Sequence, residues 1–271
     1  MGRTLGAIHD HNRQAWDARV KRQARFAKPV RDEELEKPLS LLAAGGWLCE
    51  GVAGKRMLCL AAGGGRQSVL YAAAGAMVTV VDISPAMLAL DREAARERGL
   101  PIQAIEASMD DLSALANASF DVVIQPVSTC YLPDIRPVYR EVARVMVPGG
   151  VYISQHKQPV SLQAETIISP GGGYELFEPY YRSGPLPQVQ GSLHREDGTL
   201  EFLHRWEDLI GELCLAGFSL EGLSEPYHGG DTPPAAGTFA HRSRYAPPYV
   251  RLKARRQSTP AVARPALWLG K

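Results

Sequence analysis

Three short stretches of the chain carry residue types suited to a nucleotide. Ala61-Ala62-Gly63-Gly64-Gly65 follows a compact apolar run. Small or absent Cβ atoms let a ligand approach the backbone, and a helix starting just beyond offers free N–H groups to a carboxylate or phosphate. A tight turn with positive φ would explain one glycine of the three. Asp82 closes a second apolar run 19 positions after Gly63, where a carboxylate can accept hydrogen bonds from both hydroxyls of a ribose. Its other reading, a helix cap, is a service that Ser84 already supplies. The third stretch is Ala107-Ser108-Met109-Asp110-Asp111. A polar side chain in it could bond an adenine amino group while Met109 and Ile83 cover the ring faces. Asp110 or Asp111 capping a short helix is the competing reading. Gly63-x-Gly65-x-x-Ser68 lacks the third glycine of the dinucleotide fingerprint, which disfavours a nicotinamide cofactor.

These stretches need elements that bring them to one edge. Met57–Ala61 reads as a strand, Arg66–Ala74 as a helix ending at Gly75, and Met77–Val81 as a β-branched strand. Ser84-Pro85 opens a helix, with Ser84 as N-cap, that turns Met87, Leu88, Leu90 and Ala94 toward a core. Ile102–Glu106 and Phe120–Ile124 read as strands, Ile135–Val147 as an amphipathic helix stopped by Pro148-Gly149-Gly150, and Val151–Ser154 as a fifth strand. Strands alternating with helices imply parallel pairing by right-handed crossovers, and near-continuous apolar strands imply burial on both faces. The fold class is therefore α/β, an open doubly wound sheet that binds ligands at the carboxyl ends of its strands. After His156 the rhythm breaks into a long Gly/Pro-rich stretch, which is usually functional or an inserted cap. Phe202–Ala216 returns to a helical period, Phe218–Leu223 reads as a strand, and Tyr249–Ala254 as a last one. The closing segment reads as loose, with Leu267-Trp268-Leu269 able to dock.

Composition narrows the class further. The chain has 271 residues, 45% hydrophobic, with 30 Lys+Arg against 29 Asp+Glu, which suits one large domain rather than a disordered chain. A net charge of +1 argues against non-specific nucleic-acid binding, which needs a concentrated basic face. Cys49, Cys59, Cys130 and Cys214 form no C-x-x-C pair; Cys59 and Cys214 read as buried thiols, and a reducing cytoplasm fits. No run approaches the roughly 20 apolar residues of a membrane span, and Met1–Asp10 lacks the apolar core of a signal peptide.

Taken together, LCLAAGGG at 58–65, VVDIS at 80–84, FDVVIQPVS at 120–128 and RVMVPGGVYI at 144–153 resemble the class I S-adenosylmethionine-dependent methyltransferases of bacterial small-molecule type. The resemblance spans residues 55–156. It implies a Rossmann-like seven-stranded sheet of order 3-2-1-4-5-7-6, helices on both faces, and a cap inserted after the fifth strand. The implied organisation is an N-terminal helical lid over 1–50, a methyltransferase domain over 51–255 with a substrate cap at 157–201, and a tail at 256–271. It implies S-adenosylmethionine as cofactor, S-adenosylhomocysteine as product, and contacts from Ala61, Gly63, Gly65, Asp82, Ile83, Met87, Ser108, Met109, Asp110 and Gln125. The family commonly has an acidic residue where Cys59 stands and a glycine where Ala61 stands, so carbonyls of Ala61 or Gln125 would take the methionine ammonium. The family's aspartate after the third strand aligns with Ser108. A bacterial subgroup also carries the Asn-x-x-Ala-Trp-Asp segment found here at Asn12–Asp17, in which Trp16 would cover the cofactor or pack into the core.

Methyl transfer is an in-line displacement whose leaving group departs neutral, so positioning in a dry pocket dominates and no metal is required. A hydroxyl acceptor would still need a base. His156, after the fifth strand, has the ordinary pKa for that role, or bonds a neighbouring carbonyl. Tyr131 could orient an acceptor or pack. His194 and His204 are secondary candidates, while His228 and His241 lie in loops. Tyr174, Phe177, Tyr180 and Tyr181 would cover a small acceptor with a ring or apolar body. The expected protein is a cytoplasmic monomer or homodimer that methylates a hydroxyl or amine of a small molecule and binds no nucleic acid or membrane. A nicotinamide-dependent oxidoreductase and a non-catalytic S-adenosylmethionine sensor or scaffold are the alternatives.

Overall fold

A computed structural model describes residues 4–42, 45–48, 50–230 and 232–258. Cys49, the first three residues and the Leu267-Trp268-Leu269 segment lie outside the described residues. The strands are β1 (Arg56–Leu60), β2 (Met77–Asp82), β3 (Ile102–Glu106), β4 (Phe120–Gln125), β5 (Met146–Lys157), β6 (Phe218–Ser224) and β7 (Tyr249–Arg256). They form one seven-stranded sheet of order β3-β2-β1-β4-β5-β7-β6. All pairs from β3 to β5 are parallel, and β7 runs antiparallel to both β5 and β6. This is the topology that the strand pattern and the resemblance implied.

The period of two along each strand divides the core. Leu58 and Leu60 join Val123, Tyr152 and the helix α4 (Arg136–Val145) on one face. Met57 and Cys59 join Val80, Ile124, Ile153, α2 (Gln67–Ala73) and α3 (Pro85–Glu97) on the other. The central strands β1 and β4 are buried on both faces and read as near-continuous apolar runs, whereas β7 alternates, burying Val250, Leu252 and Ala254 between Arg251, Lys253 and Arg255. Ser84 caps α3 as expected, its Oγ accepting from Met87 N–H at 3.1 Å.

Three local expectations differ from the structure. Pro148-Gly149-Gly150 does not end a helix and start a strand afresh; α4 stops at Val145 and β5 runs through the tripeptide. The ladder with β4 shifts register between Phe120 and Val122, and Gly149 takes φ +81°, as in a bulge. Phe202–Leu203 is extended, because Phe202 N–H donates to Cys130 O at 2.7 Å. Helix begins only at Trp206, passes through a π turn (Glu207–Gly211) and ends as a short α-helical turn (Glu212–Leu215). Cys214 is exposed rather than buried, since that turn gives Leu213 to the core instead.

The N-terminal helix α1 (Leu5–Lys21) crosses the carboxyl ends of the strands. Its buried Asn12 donates to Tyr131 O at 2.9 Å and Leu200 O at 3.1 Å, and accepts from Leu200 N–H at 2.7 Å. Asp17 accepts from Ser84 Oγ at 2.6 Å, tying α1 to the start of α3. The Asn-x-x-Ala-Trp-Asp segment is thus a clamp between the helix and two loops of the sheet. Among the described residues no helix is long and apolar enough to cross a membrane.

Candidate active site

The glycine stretch leaves β1 through Ala61, whose φ of +48° is unusual for a residue with a Cβ. A Cβ at Gly63 would lie 2.8 Å from Met87 Cβ and 2.9 Å from Asp82 Oδ2, so only glycine lets α3 and the β2 carboxylate come this close. At Gly65 a Cβ would lie 2.7 Å from Leu90 O. Gly65 therefore serves the packing of the loop on α3 and does not reach the cavity described below.

Asp82 sits where β2 ends. Its Oδ2 accepts from Gly63 N–H and its Oδ1 from Ser84 N–H, both at 2.9 Å. Burial pushes its pKa up to about 6, against the lowering effect of those bonds. A second carboxylate, Asp91, is wholly buried beneath the loop. It accepts from Gly64 N–H at 2.8 Å and from Ser68 Oγ, and burial pushes it up to about 7. Asp91 was not anticipated. The available signal is an acidic residue three positions from Leu88 and Ala94 on the apolar stripe of α3.

A cavity of about 400 Å³ opens at these strand ends. Ala61, Gly63, Asp82, Ile83, Met87, Ser108, Met109, Gln125, Tyr131 and Trp16 all line it. Asp110 does not; it accepts from Ser108 Oγ and faces His9 Nε2 at 3.1 Å, fixing the loop after β3 from outside. Gln125 is held by Tyr152 Oη, which donates to its Oε1 at 2.5 Å, and itself donates to Ser128 Oγ at 2.9 Å. Trp16 lines the cavity and packs, its ring meeting the Tyr131 ring edge-on at 5.8 Å between centroids.

His156 does not reach the cavity. It is 1% exposed, with Nδ1 2.8 Å from Thr129 Oγ1 and Nε2 2.7 Å from Ser154 Oγ. Burial and the neighbouring His204 push its pKa down to about 3. Both nitrogens are engaged by hydroxyls, so neither is placed to take a proton from an acceptor. His204 is also buried and bonds Thr129 O at 2.9 Å, and His194 stacks on Phe239. The cap aromatics are displaced too. Phe177 and Tyr181 are 71% and 80% exposed, Tyr174 packs against His241 and Tyr245, and Tyr180 Oη accepts from Trp206 N–H at 3.2 Å. None of the four borders the cavity.

Other groups stand where these were expected. Glu196 lines the cavity beside Tyr131, and its Oε2 accepts from Lys157 Nζ at 2.6 Å and Tyr131 Oη at 3.1 Å. Burial and the Glu196 carboxylate push the Tyr131 phenol well above its ordinary pKa, so it stays neutral and donates. Burial acts to lower the pKa of Lys157, but Glu201 and Glu196 outweigh it and keep the ammonium charged. Arg25, Phe26, Lys28, Tyr249 and Arg251 also line the cavity. Sequence reasoning missed this side because its members come from distant segments.

The family model for a methyltransferase domain matches residues 58–154. YbaJ, an uncharacterised methyltransferase of Bacillus subtilis, is 33% identical to this chain over 237 residues, covering 82% of this chain and 91% of that one. The chain belongs to the class I S-adenosylmethionine-dependent methyltransferases. Among solved structures, this methyltransferase superposes on an S-adenosylmethionine-dependent methyltransferase from Mesorhizobium loti with a TM-score of 0.62 at 23% identity, over 80% of this chain and 100% of that one. It also shares its fold with a Burkholderia thailandensis 1,6-didemethyltoxoflavin-N1-methyltransferase that binds 1,6-didemethyltoxoflavin and S-adenosylhomocysteine. That match has a TM-score of 0.58 at 14% identity and covers 95% and 92% of the two chains. S-Adenosylmethionine is thus the cofactor, and the site fits it. A loop whose close approach only glycine permits and a buried carboxylate face the same cavity. The nicotinamide alternative falls with the family assignment.

Proposed function

We propose that this methyltransferase acts on a hydroxyl or amine of a small organic acceptor. The observation that carries the reading is the cavity itself, which runs from the glycine loop to Glu196 beneath α1 and combines apolar walls, from Trp16, Ile83, Met87, Met109 and Val127, with a few polar groups. Helix α1, tied down through Asn12 and Asp17, lies over the strand ends and narrows the approach, which supports a small acceptor. The balanced charge, +1 overall, supports the same conclusion against a polyanionic substrate.

In this reading Asp82 accepts from the ribose hydroxyls, Ile83 and Met109 cover the adenine, and Ser108 meets its edge. The backbone at Ala61–Gly63 and Gln125 holds the methionine portion, while Met87 and Trp16 exclude water. Bound S-adenosylmethionine supplies a methyl group on a sulfonium whose departure as a neutral thioether needs no acid. The protein's part is then to place the acceptor in line and keep the site dry.

The test is a partition of label. With methyl-tritiated S-adenosylmethionine and an extract as acceptor source, the label should leave in the small-molecule fraction. Label in protein or RNA would contradict the acceptor class, and binding of S-adenosylhomocysteine without any transfer would favour a sensor.

A further inference from the structure

Glu196 belongs to a charged cluster for which the cofactor site has no use. Lys157 and Glu201 have side chains 2% and 0% exposed, with Lys157 Nζ 2.6 Å from Glu196 and 3.0 Å from Glu201. Arg195 Nε lies 3.0 Å from Glu201. Apolar packing of equal volume stabilises a fold as well as such a cluster or better. Its presence therefore points to the member that touches the cavity. That member is Glu196, and it has an oxygen to spare. Lys157 and Tyr131 occupy Oε2, and Oε1 accepts no side-chain hydrogen bond from the described residues.

We propose that Glu196 is the general base for a hydroxyl acceptor. The inference rests on the methyltransferase reading above and adds the acceptor's functional group. Asp82 and Glu196 are the carboxylates among the described lining residues, and both oxygens of Asp82 already hold backbone N–H groups. Tyr131 is a neutral donor, and His156 is turned away. The groups facing Glu196 are Lys157 from β5, Tyr131 and Cys130 from the turn after β4, Tyr249 from β7, and Arg195 and Glu201 from its own loop. Lys157 Nζ fixes Oε2 at 2.6 Å and leaves Oε1 on the cavity side. A hydroxyl is the acceptor that calls for such a base, since a neutral amine attacks with its own lone pair and a hydroxyl must lose its proton as the bond forms. As the acceptor oxygen bonds to the methyl carbon, the C–S bond breaks with its electron pair left on sulfur. The O–H bond breaks with its pair kept on oxygen, and the proton passes to Glu196 Oε1.

The probe is 4-nitrophenol, whose colour reports its ionisation, added to protein saturated with S-adenosylhomocysteine. Beside a carboxylate the neutral phenol is favoured, so the bound probe should ionise about one pH unit higher than the free one. In Glu196→Gln that elevation should vanish, while the calorimetric Kd for S-adenosylhomocysteine stays within about threefold of wild type. Burial alone would raise the probe alike in both proteins, so the difference between them is the readout, and Glu196→Ala takes the place of Glu196→Gln if that variant fails to fold. A probe that does not bind the loaded wild type, or that ionises alike in both proteins, overturns the proposal. Failure of the wild type to bind S-adenosylhomocysteine would instead overturn the reading beneath it.

Discussion

The glycine-loop end of the cavity and the Glu196 end are assembled over different chain distances. At the first, Gly63 and Asp82 are 19 residues apart, one in the loop that leaves β1 and the other at the end of the adjacent parallel strand β2. At the second, Tyr131 and Glu196 are 65 residues apart, and Asn12 reaches 119 residues to Tyr131. The first end inherits its geometry from the sheet, since parallel strands in register deliver their carboxyl ends to one edge whatever lies beyond them. The second depends on α1, a turn, a long loop and β7 arriving together. One end is therefore general to the fold, and the other, where the proposed acceptor would sit, depends on loops particular to this chain.

Substitutions can separate the two ends. The largest effect is expected from Gly65→Ala, which sets a Cβ 2.7 Å from Leu90 O at φ +72°. Denaturant unfolding should show a loss of about 2–4 kcal/mol, and a variant as stable as wild type would refute the packing role. Asp82→Ala should weaken S-adenosylhomocysteine binding by about 1.5–3 kcal/mol, seen by calorimetry. An unchanged affinity would remove the ribose assignment.

Asp91 gives a test in pH. Its folded pKa of about 7 lies above the ordinary carboxylate value, so the folded state binds the extra proton between the two. Its contribution is full below about pH 4 and is lost as pH rises through about 7. The stability of wild type relative to Asp91→Asn should therefore fall across that window and level off above it. A difference that is flat with pH would mean that the carboxylate is not buried as described. The smallest effect is expected at the cap. Phe177→Ala and Tyr181→Ala should change stability by no more than about 0.5 kcal/mol and leave S-adenosylhomocysteine affinity unaltered. A loss of affinity would return these rings to the site.

The same contrast explains what could be read from the sequence. β1, β2 and β4 were legible because strands buried on both faces are near-continuous apolar runs, and Ser84-Pro85 announced α3 by capping chemistry. Asp82 and Gly63 followed from where those runs end. Gly65 was legible as a glycine but not as a packing residue, since its close neighbour, Leu90 O, belongs to the next helix but one in the chain. His156 was misread because position along a strand says where a residue stands and not what covers it. Ser154 lies two residues earlier on the same face of β5 and takes its Nε2. Glu196 left no local trace. In the sequence it is one acidic residue of a polar loop, and only tertiary contact with Lys157 and Tyr131 distinguishes it.

A crystal structure of the complex with S-adenosylhomocysteine tests the account most directly. The ribose hydroxyls should lie within hydrogen-bonding distance of Asp82, with the sulfur on the side of Tyr131 and Glu196. A nucleoside bound away from Asp82, or a sulfur facing away from Glu196, would contradict it.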